Sequence, residues 1–189
     1  MAILDAPTTP SLFDRLTRPL RNLQHRVRRR HGRIDIALAD FMEEAVRPGD
    51  KVLQLGADET ASLTILERGA FLSLVASAGA ADIVETACQT RGTDAGRLRV
   101  FNSVRASESA GTADAVYLAP ATGFAAQAAH LRHATTRLKT NGLLLIDGVD
   151  TVAGGRIYDA LQADLGWRID EVISGRVAVF RKTAAFLAA

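Results

Sequence analysis

The 189-residue sequence contains a single cysteine, Cys88, and aromatic residues make up only 5% of it. One cysteine excludes an intramolecular disulfide and a thiolate cluster for zinc or iron–sulfur chemistry. No stretch approaches the roughly 20 apolar residues of a membrane span, and the polar residues 1–10 lack the apolar core of a leader peptide. These absences lead us to expect an unprocessed cytoplasmic protein without a transmembrane segment.

The chain also lacks a large net charge, since it has 23 Lys and Arg residues and 21 Asp and Glu residues. The placement is nevertheless uneven, because residues 15–33 contain eight arginines and no acidic residue. Apolar residues in this segment recur at the spacing of one helical face: Phe13, Leu16, Leu20, Leu23 and Val27. We therefore predict a basic amphipathic N-terminal arm over residues 1–33, attached to an acidic body.

The arm from Arg15 to Arg33 suits an anionic partner, and we rank a protein surface first, an anionic membrane surface second and nucleic acid third. Beyond Phe13 the arm has no aromatic residue for base stacking, which argues against sequence-specific nucleic-acid recognition. A solvated helix remains the commonest explanation of such a charge run. A second apolar stripe follows at residues 34–45, and two such stripes before the first strand lead us to expect a homodimer.

From residue 51 onward, short apolar runs alternate with amphipathic helical segments, which requires crossover connections and a parallel sheet. Only residues 174–176 separate the last two runs, so these form an antiparallel hairpin. We predict an α/β domain over residues 34–182, with helices on both faces of a mostly parallel seven-stranded sheet, and an alanine-rich tail at 183–189. The predicted strands are Lys51–Leu55, Phe71–Ala76, Leu98–Phe101, Ala115–Leu118, Leu143–Ile146, Trp167–Ile173 and Val177–Arg181.

Three segments of this body resemble the class I S-adenosylmethionine-dependent methyltransferases. They are residues 47–56 (RPGDKVLQLG), residues 138–147 (LKTNGLLLID), and Gly166-Trp167 leading to the final strand at residues 179–182. The element order and the closing hairpin are also similar to that family, and the resemblance covers most of the chain. It implies a Rossmann-like methyltransferase fold, S-adenosylmethionine as cofactor, and methyl transfer to a substrate that no motif identifies.

The resemblance also indicates where the cofactor would bind. In the family, the first strand leads into an acid-x-Gly-x-Gly-x-Gly loop, because glycines let the backbone approach the cofactor. Here only Gly56 of the three glycines is present, whereas Gln54 stands at the acidic position and Asp58 and Thr60 at the other two glycine positions. Ala57 lies between them and is expected to line the same cleft.

Two further family contacts map onto polar residues at strand ends. The family's ribose-binding acid after the second strand has no counterpart here, and Ser77 is the nearest residue able to accept a hydrogen bond. The polar residue after the third strand, which contacts the adenine amine in the family, corresponds to Asn102 or Ser103. The implied cofactor-binding residues are Gln54, Gly56, Ala57, Asp58, Ser77, Asn102 and Ser103.

Several residues at these strand ends can also be explained by a structural role without any ligand. Gly56 suits any tight strand-to-helix turn, and Asp58 can be the N-cap of the following helix. Asp147 stands at a strand end where α/β proteins bind ligands, yet it can also organise the loop that follows.

Catalytic and metal-binding residues are not specified by the sequence. His130 and His133 have a spacing compatible with a metal but no nearby carboxylate or cysteine, so we expect two exposed helix residues and no metal. Asp147 fills one of the three metal-ligand positions of the catechol-type subgroup of the family. We therefore carry two hypotheses, a methyltransferase-like enzyme and a non-catalytic interaction module with a degenerate cofactor site.

Overall fold

The structure is a computed structural model that describes residues 36–121 and 123–184. The predicted arm, residues 1–33, and residues 185–189 of the predicted tail lie outside the described residues. The sheet has seven strands in the order β3-β2-β1-β4-β5-β7-β6, and β7 runs in the opposite direction to the other six. The predicted fold class is confirmed. The strands are β1 Lys51–Leu55, β2 Phe71–Val75, β3 Leu98–Phe101, β4 Ala113–Leu118, β5 Leu138–Asp147, β6 Trp167–Ile173 and β7 Val177–Lys182.

Helices connect the parallel strands. Within the described part of the chain, no helix is both long enough and apolar enough to cross a membrane. Single 3-10 turns precede and follow β3, at Ala95–Arg97 and Ala106–Ala110. The α-helices are α1 at residues 36–45, α2 Glu59–Glu67, α3 Ala78–Arg91, α4 Phe124–Arg137 and α5 Val152–Gln162.

The hydrophobic core forms two layers because successive strand residues point to opposite faces of the sheet. In β1, Val52 belongs to the layer covered by α1, α2 and α3, whereas Leu53 belongs to the layer covered by α4 and α5. Cys88 is fully buried in the first layer, and Trp167 is buried in the second. Both faces of the sheet are therefore covered by helices, and the ends of its strands are left for ligand binding.

The apolar spacing of α3 and α4 predicts that Ile83 and Phe124 face the core, and both predictions are wrong. Ile83 of α3 is 58% exposed, because the buried residues of that helix are Ala81, Val84 and Cys88, and residue 83 lies at least about 100° around the helix from each of them. Phe124, expected in the inner stripe of α4, is 40% exposed. The buried positions of α4 are Gln127 and Ala134, and Leu138 begins β5 instead of continuing the helix.

Helix α5 begins earlier than the sequence pattern suggested. The apolar spacing predicted a helix from Ile157 to Leu165, whereas the helix spans Val152–Gln162. The Thr151 hydroxyl caps it by accepting a hydrogen bond from the backbone N–H of Gly154, at 3.1 Å. Glycine at position 154 is required by space, since a Cβ there would lie 2.1 Å from the carbonyl oxygen of Gly148.

Candidate functional site

The carboxyl ends of the parallel strands meet at one edge of the sheet, which we call the carboxyl edge. The chain builds the sheet outward in two directions from β1, with β2 and β3 on one side and β4 and β5 on the other. Open α/β sheets bind ligands where the strand order reverses in this way. Here that point lies between the loops that follow β1 and β4, and all seven predicted cofactor-binding residues lie in or beside the loops after β1, β2 and β3.

Gly56, at the start of the β1–α2 loop, is required by the backbone and by its neighbour. Its φ is +89°, a conformation that side chains other than glycine rarely adopt, and a Cβ there would lie 2.9 Å from the Cβ of Ala119. Its N–H donates to the carbonyl oxygen of Val75 at 2.9 Å. The loop therefore passes close to the end of β4, and a structural role of Gly56 is established whether or not it also contacts a ligand.

Gln54 holds the same loop from inside. Its side chain is fully buried, and its amide Nε2 donates to the carbonyl oxygens of Gly56 at 3.0 Å and Asp58 at 3.2 Å. Its Oε1 lies 3.0 Å from the hydroxyl of Ser62 in α2. A carboxylate could not donate these two bonds, so the amide at the family's acidic position has a specific structural effect. Direct contact between Gln54 and a cofactor stays a prediction.

Asp58 is the N-cap of α2, as the structural alternative for this residue predicted. One carboxylate oxygen, Oδ1, accepts a hydrogen bond from the N–H of Ala61 at 2.8 Å. The other oxygen, Oδ2, lies 3.3 Å from the hydroxyl of Tyr117, on the neighbouring strand β4. Asp58 therefore links the cap of α2 to the centre of the sheet.

The remaining predicted residues form an exposed polar rim at the ends of β2 and β3. Ala57, Ser77, Asn102 and Ser103 are all exposed. The Ser103 hydroxyl accepts a hydrogen bond from the N–H of Ala106 at 3.2 Å. Among the described residues, the side chains of Ser77 and Asn102 have no hydrogen-bond partner, and Ser77 precedes α3 without capping it. Both side chains are free to bind a ligand on this half of the edge.

The other half of the carboxyl edge is closed by a buried polar cluster that the sequence did not predict. Asp147, at the end of β5, is only 2% exposed and forms a two-point ion pair with Arg176 of the β6–β7 turn. The Nε–Oδ1 distance is 2.5 Å and the second contact is 2.9 Å. The Tyr117 hydroxyl donates to Asp147 Oδ2 at 3.1 Å and so lies between Asp147 and Asp58. We call these four side chains the Asp147 cluster.

Burial and neighbouring charges shift the pKa values of Tyr117 and Arg176 in this cluster. The pKa of Tyr117 is raised well above its ordinary value, first by burial and then by the neighbouring charges of Asp58 and Asp147. Burial acts to lower the pKa of Arg176, but its hydrogen bond to Asp147 and the charge of that residue raise it above the ordinary value. Tyr117 is therefore a hydrogen-bond donor at neutral pH and not a base, and Arg176 stays charged.

His130 and His133 are half-buried rather than exposed as predicted. Nε2 of His133 lies 3.0 Å from the hydroxyl of the buried Ser107, and Nδ1 of His130 is buried without a partner. Burial lowers the pKa of both imidazoles. Within residues 36–121 and 123–184, no group of three or more His, Cys, Asp or Glu side chains is arranged to hold a metal ion.

Comparisons with known proteins agree with this architecture. No family model matches the sequence, and no curated protein sequence does. In contrast, many solved structures share the fold. A protein assigned as an rRNA methylase from Clostridium thermocellum superposes with a TM-score of 0.62 at 12% identity, over 77% of this chain and 93% of that one.

Two further structures were solved with ligands bound. An O-methyltransferase from Bacillus cereus in complex with S-adenosylhomocysteine has a TM-score of 0.58 at 14% identity, over 79% of each chain. A 16S rRNA methyltransferase from Thermus thermophilus in complex with S-adenosylmethionine and guanosine has a TM-score of 0.58 at 16% identity, over 78% of this chain and 42% of that one. Together with the strand order and the closing hairpin, these likenesses show that the chain has the fold of the class I S-adenosylmethionine-dependent methyltransferases.

Proposed function

We propose that the chain binds S-adenosylmethionine along the loops after β1, β2 and β3 and transfers its methyl group to an acceptor not yet identified. The observation that carries this proposal is the exposed polar rim at the carboxyl edge, where Ser77 and Asn102 are without partners. Ligands of open α/β sheets bind at this edge. The structural neighbours with bound cofactor or product support the same cofactor for this fold.

The residues present fit the cofactor in part. An adenine amine can donate to the free Asn102 side chain, and a ribose hydroxyl can donate to Ser77. No carboxylate follows β2, so the ribose contact lacks the added strength of a charged acceptor. We therefore expect weaker binding than a site with a ribose-binding acid would give.

Methyl transfer places few demands on acid or base residues. S-adenosylmethionine supplies a methyl group on a positively charged sulfur, so the protein must mainly hold the acceptor in line with that group. In this chain the β1–α2 loop is held by Gln54 from inside and by the cap at Asp58. A rigid loop of this kind would fix one wall of the cleft before any ligand binds.

Calorimetric titration of the full chain with S-adenosylmethionine and S-adenosylhomocysteine at millimolar concentration tests the proposal. We expect heat of binding and a rise in melting temperature, because a ligand that binds only the folded state stabilises it. Replacing Asn102 by Ala should weaken binding about 2- to 10-fold, as expected for one lost neutral hydrogen bond. Gln89→Ala, an exposed amide on α3, is the matched control and should leave binding unchanged.

The second candidate is a non-catalytic interaction module with the same fold. The Asp147 cluster favours it, because the buried ion pair with Arg176 occupies the end of β5 and leaves neither carboxylate oxygen of Asp147 without a partner. Absence of both binding heat and thermal stabilisation with either ligand would select this candidate over the enzyme. Binding that is insensitive to Asn102→Ala would show that the cofactor lies elsewhere than on the rim.

A further inference from the structure

A solvent-facing aromatic and a cation lie together beside the Asp147 cluster. Phe124 is the first residue of α4, which follows β4, and Arg156 lies in the second turn of α5, which follows β5. The guanidinium carbon of Arg156 is 4.3 Å from the centre of the Phe124 ring. Val152, one helical turn before Arg156, is 86% exposed. Apolar surface and a positive charge are therefore presented side by side at the ends of two neighbouring strands.

The loops that carry these residues are packed together. A Cβ on Gly148 would lie in ordinary contact with the ring of Pro120, 3.6 Å away, so the β4–α4 and β5–α5 loops are adjacent. Gln127, one turn after Phe124, reaches toward the carbonyl oxygen of Asp147 at 3.4 Å. The Phe124–Arg156 pair is therefore held next to the carboxyl edge by defined contacts.

Arg156 has no carboxylate partner among the described residues, unlike Arg176, which pairs with Asp147. Its guanidinium carbon lies over the Phe124 ring, and its N–H donors have no carboxylate to bind among the described residues. A guanidinium held against an aromatic ring loses less freedom on binding an anion than an unrestrained arginine side chain does. The planar edge matches a carboxylate or phosphate in two-point geometry.

We propose that Phe124, Val152 and Arg156 form a binding site for a planar ring that carries an anionic group, with the anion on the N–H edge of Arg156 and the ring against Phe124 and Val152. Its role as the site of the methyl acceptor rests on the proposed function, because it lies on the β4–β5 half of the edge, opposite the rim assigned to the cofactor. The substrate class is thus an aromatic acid or an aromatic phosphate.

Ligand-observed NMR titration of the full chain with 2-naphthoate tests the site directly. We expect 2-naphthoate to bind more tightly than 2-naphthamide, which lacks the charge, and more tightly than cyclohexanecarboxylate, which lacks the planar ring. Arg156→Gln should weaken 2-naphthoate binding about tenfold or more, since hydrogen bonds to charged groups are the strong ones. Phe124→Leu should weaken it several-fold through loss of the aromatic face.

Arg132→Gln is the matched control, since Arg132 is an exposed arginine of α4 without an ion pair among the described residues. Equal loss of binding in Arg132→Gln and Arg156→Gln, or equal affinity for 2-naphthoate and 2-naphthamide, would overturn the inference. Titration of S-adenosylhomocysteine in the same variants separates the two proposals. Binding of 2-naphthoate through Arg156 without any binding of S-adenosylhomocysteine would refute the proposed function alone, whereas the reverse would refute this site alone.

Discussion

We expect substitutions of Asp147 and Arg176, the two partners of the buried ion pair, to lower the free energy of unfolding by unequal amounts. The Asp147 side chain is 3% exposed and the Arg176 side chain 17%. Arg176→Met would leave a buried carboxylate with the Tyr117 hydroxyl as its remaining charge-stabilising donor, and removing one partner of a buried pair costs about 3 to 5 kcal/mol. Asp147→Asn keeps one acceptor oxygen, for Tyr117 and one N–H of Arg176, while its NH2 group opposes the other N–H of Arg176. The arginine can turn toward solvent, so we expect a smaller loss of about 1 to 3 kcal/mol.

Urea unfolding at neutral pH measures this asymmetry, with stability taken from midpoints at constant slope. The exposed pair Arg168–Asp170 gives the control, since Arg168→Met should cost less than about 1 kcal/mol. Because a domain of this kind is stable by only about 5 to 15 kcal/mol, Arg176→Lys is a milder second variant that keeps the charge. Equal losses for Arg176→Met and Arg168→Met would refute the conclusion that the Asp147 pair is buried and structurally coupled.

Three shorter predictions concern other parts of the chain. Gly56→Ala should destabilise the fold by about 1 to 3 kcal/mol more than Gly49→Ala does in urea unfolding, because both glycines have positive φ but only Gly56 would place its Cβ against Ala119. Burial lowers the pKa of His130 in the folded state, so the unfolded chain takes up a proton first as pH falls below about 6.5. The free energy of unfolding should therefore fall from pH 7 to pH 5. His130→Leu should make the melting temperature less dependent on pH over this range. Deleting residues 1–33 should leave the body folded but change its oligomeric state in light scattering or its retention on heparin at low salt; identical behaviour of both chains would mean that the arm has neither role.

The architecture could be predicted from the sequence because its signals are local. Strand β1 was predicted with the bounds that the structure has, and the three-residue gap at 174–176 determined that the final pair is a hairpin. Errors arose where tertiary contact overrides local pattern. The pair Gly154-Gly155 resembles a break, yet Gly154 allows α5 to pass close to Gly148. Phe124 looks like core because it is apolar, but at the first position of α4 it is partly exposed and lies against Arg156.

The candidate site was predictable only in its local parts. Asp58 as an N-cap needs no more than its place before a helix, and the structure confirms it. The Asp147 cluster joins side chains that are 29, 30 and 59 residues apart in the chain, so no sequence window contains its partners. The sequence nevertheless contains one unusual feature at each of the two cluster residues that it did not predict, Tyr117 and Arg176. Tyr117 is the one aromatic residue of strand β4, and Arg176 is a charged residue in the tight turn between β6 and β7.

For a substitution at Gln54, the family motif and the structure predict opposite results. From the motif, Gln54→Glu would restore the acidic position and strengthen cofactor binding. In the structure a carboxylate there would be fully buried against the carbonyl oxygens of Gly56 and Asp58, with the hydroxyl of Ser62 as its nearest donor. Buried polar groups left without partners are costly, so we expect a loss of about 2 to 4 kcal/mol in urea unfolding and no gain in affinity for S-adenosylhomocysteine. Gln89→Glu, exposed on α3, should change neither quantity. Tighter cofactor binding by Gln54→Glu at unchanged stability would show that the amide is not what holds the β1–α2 loop.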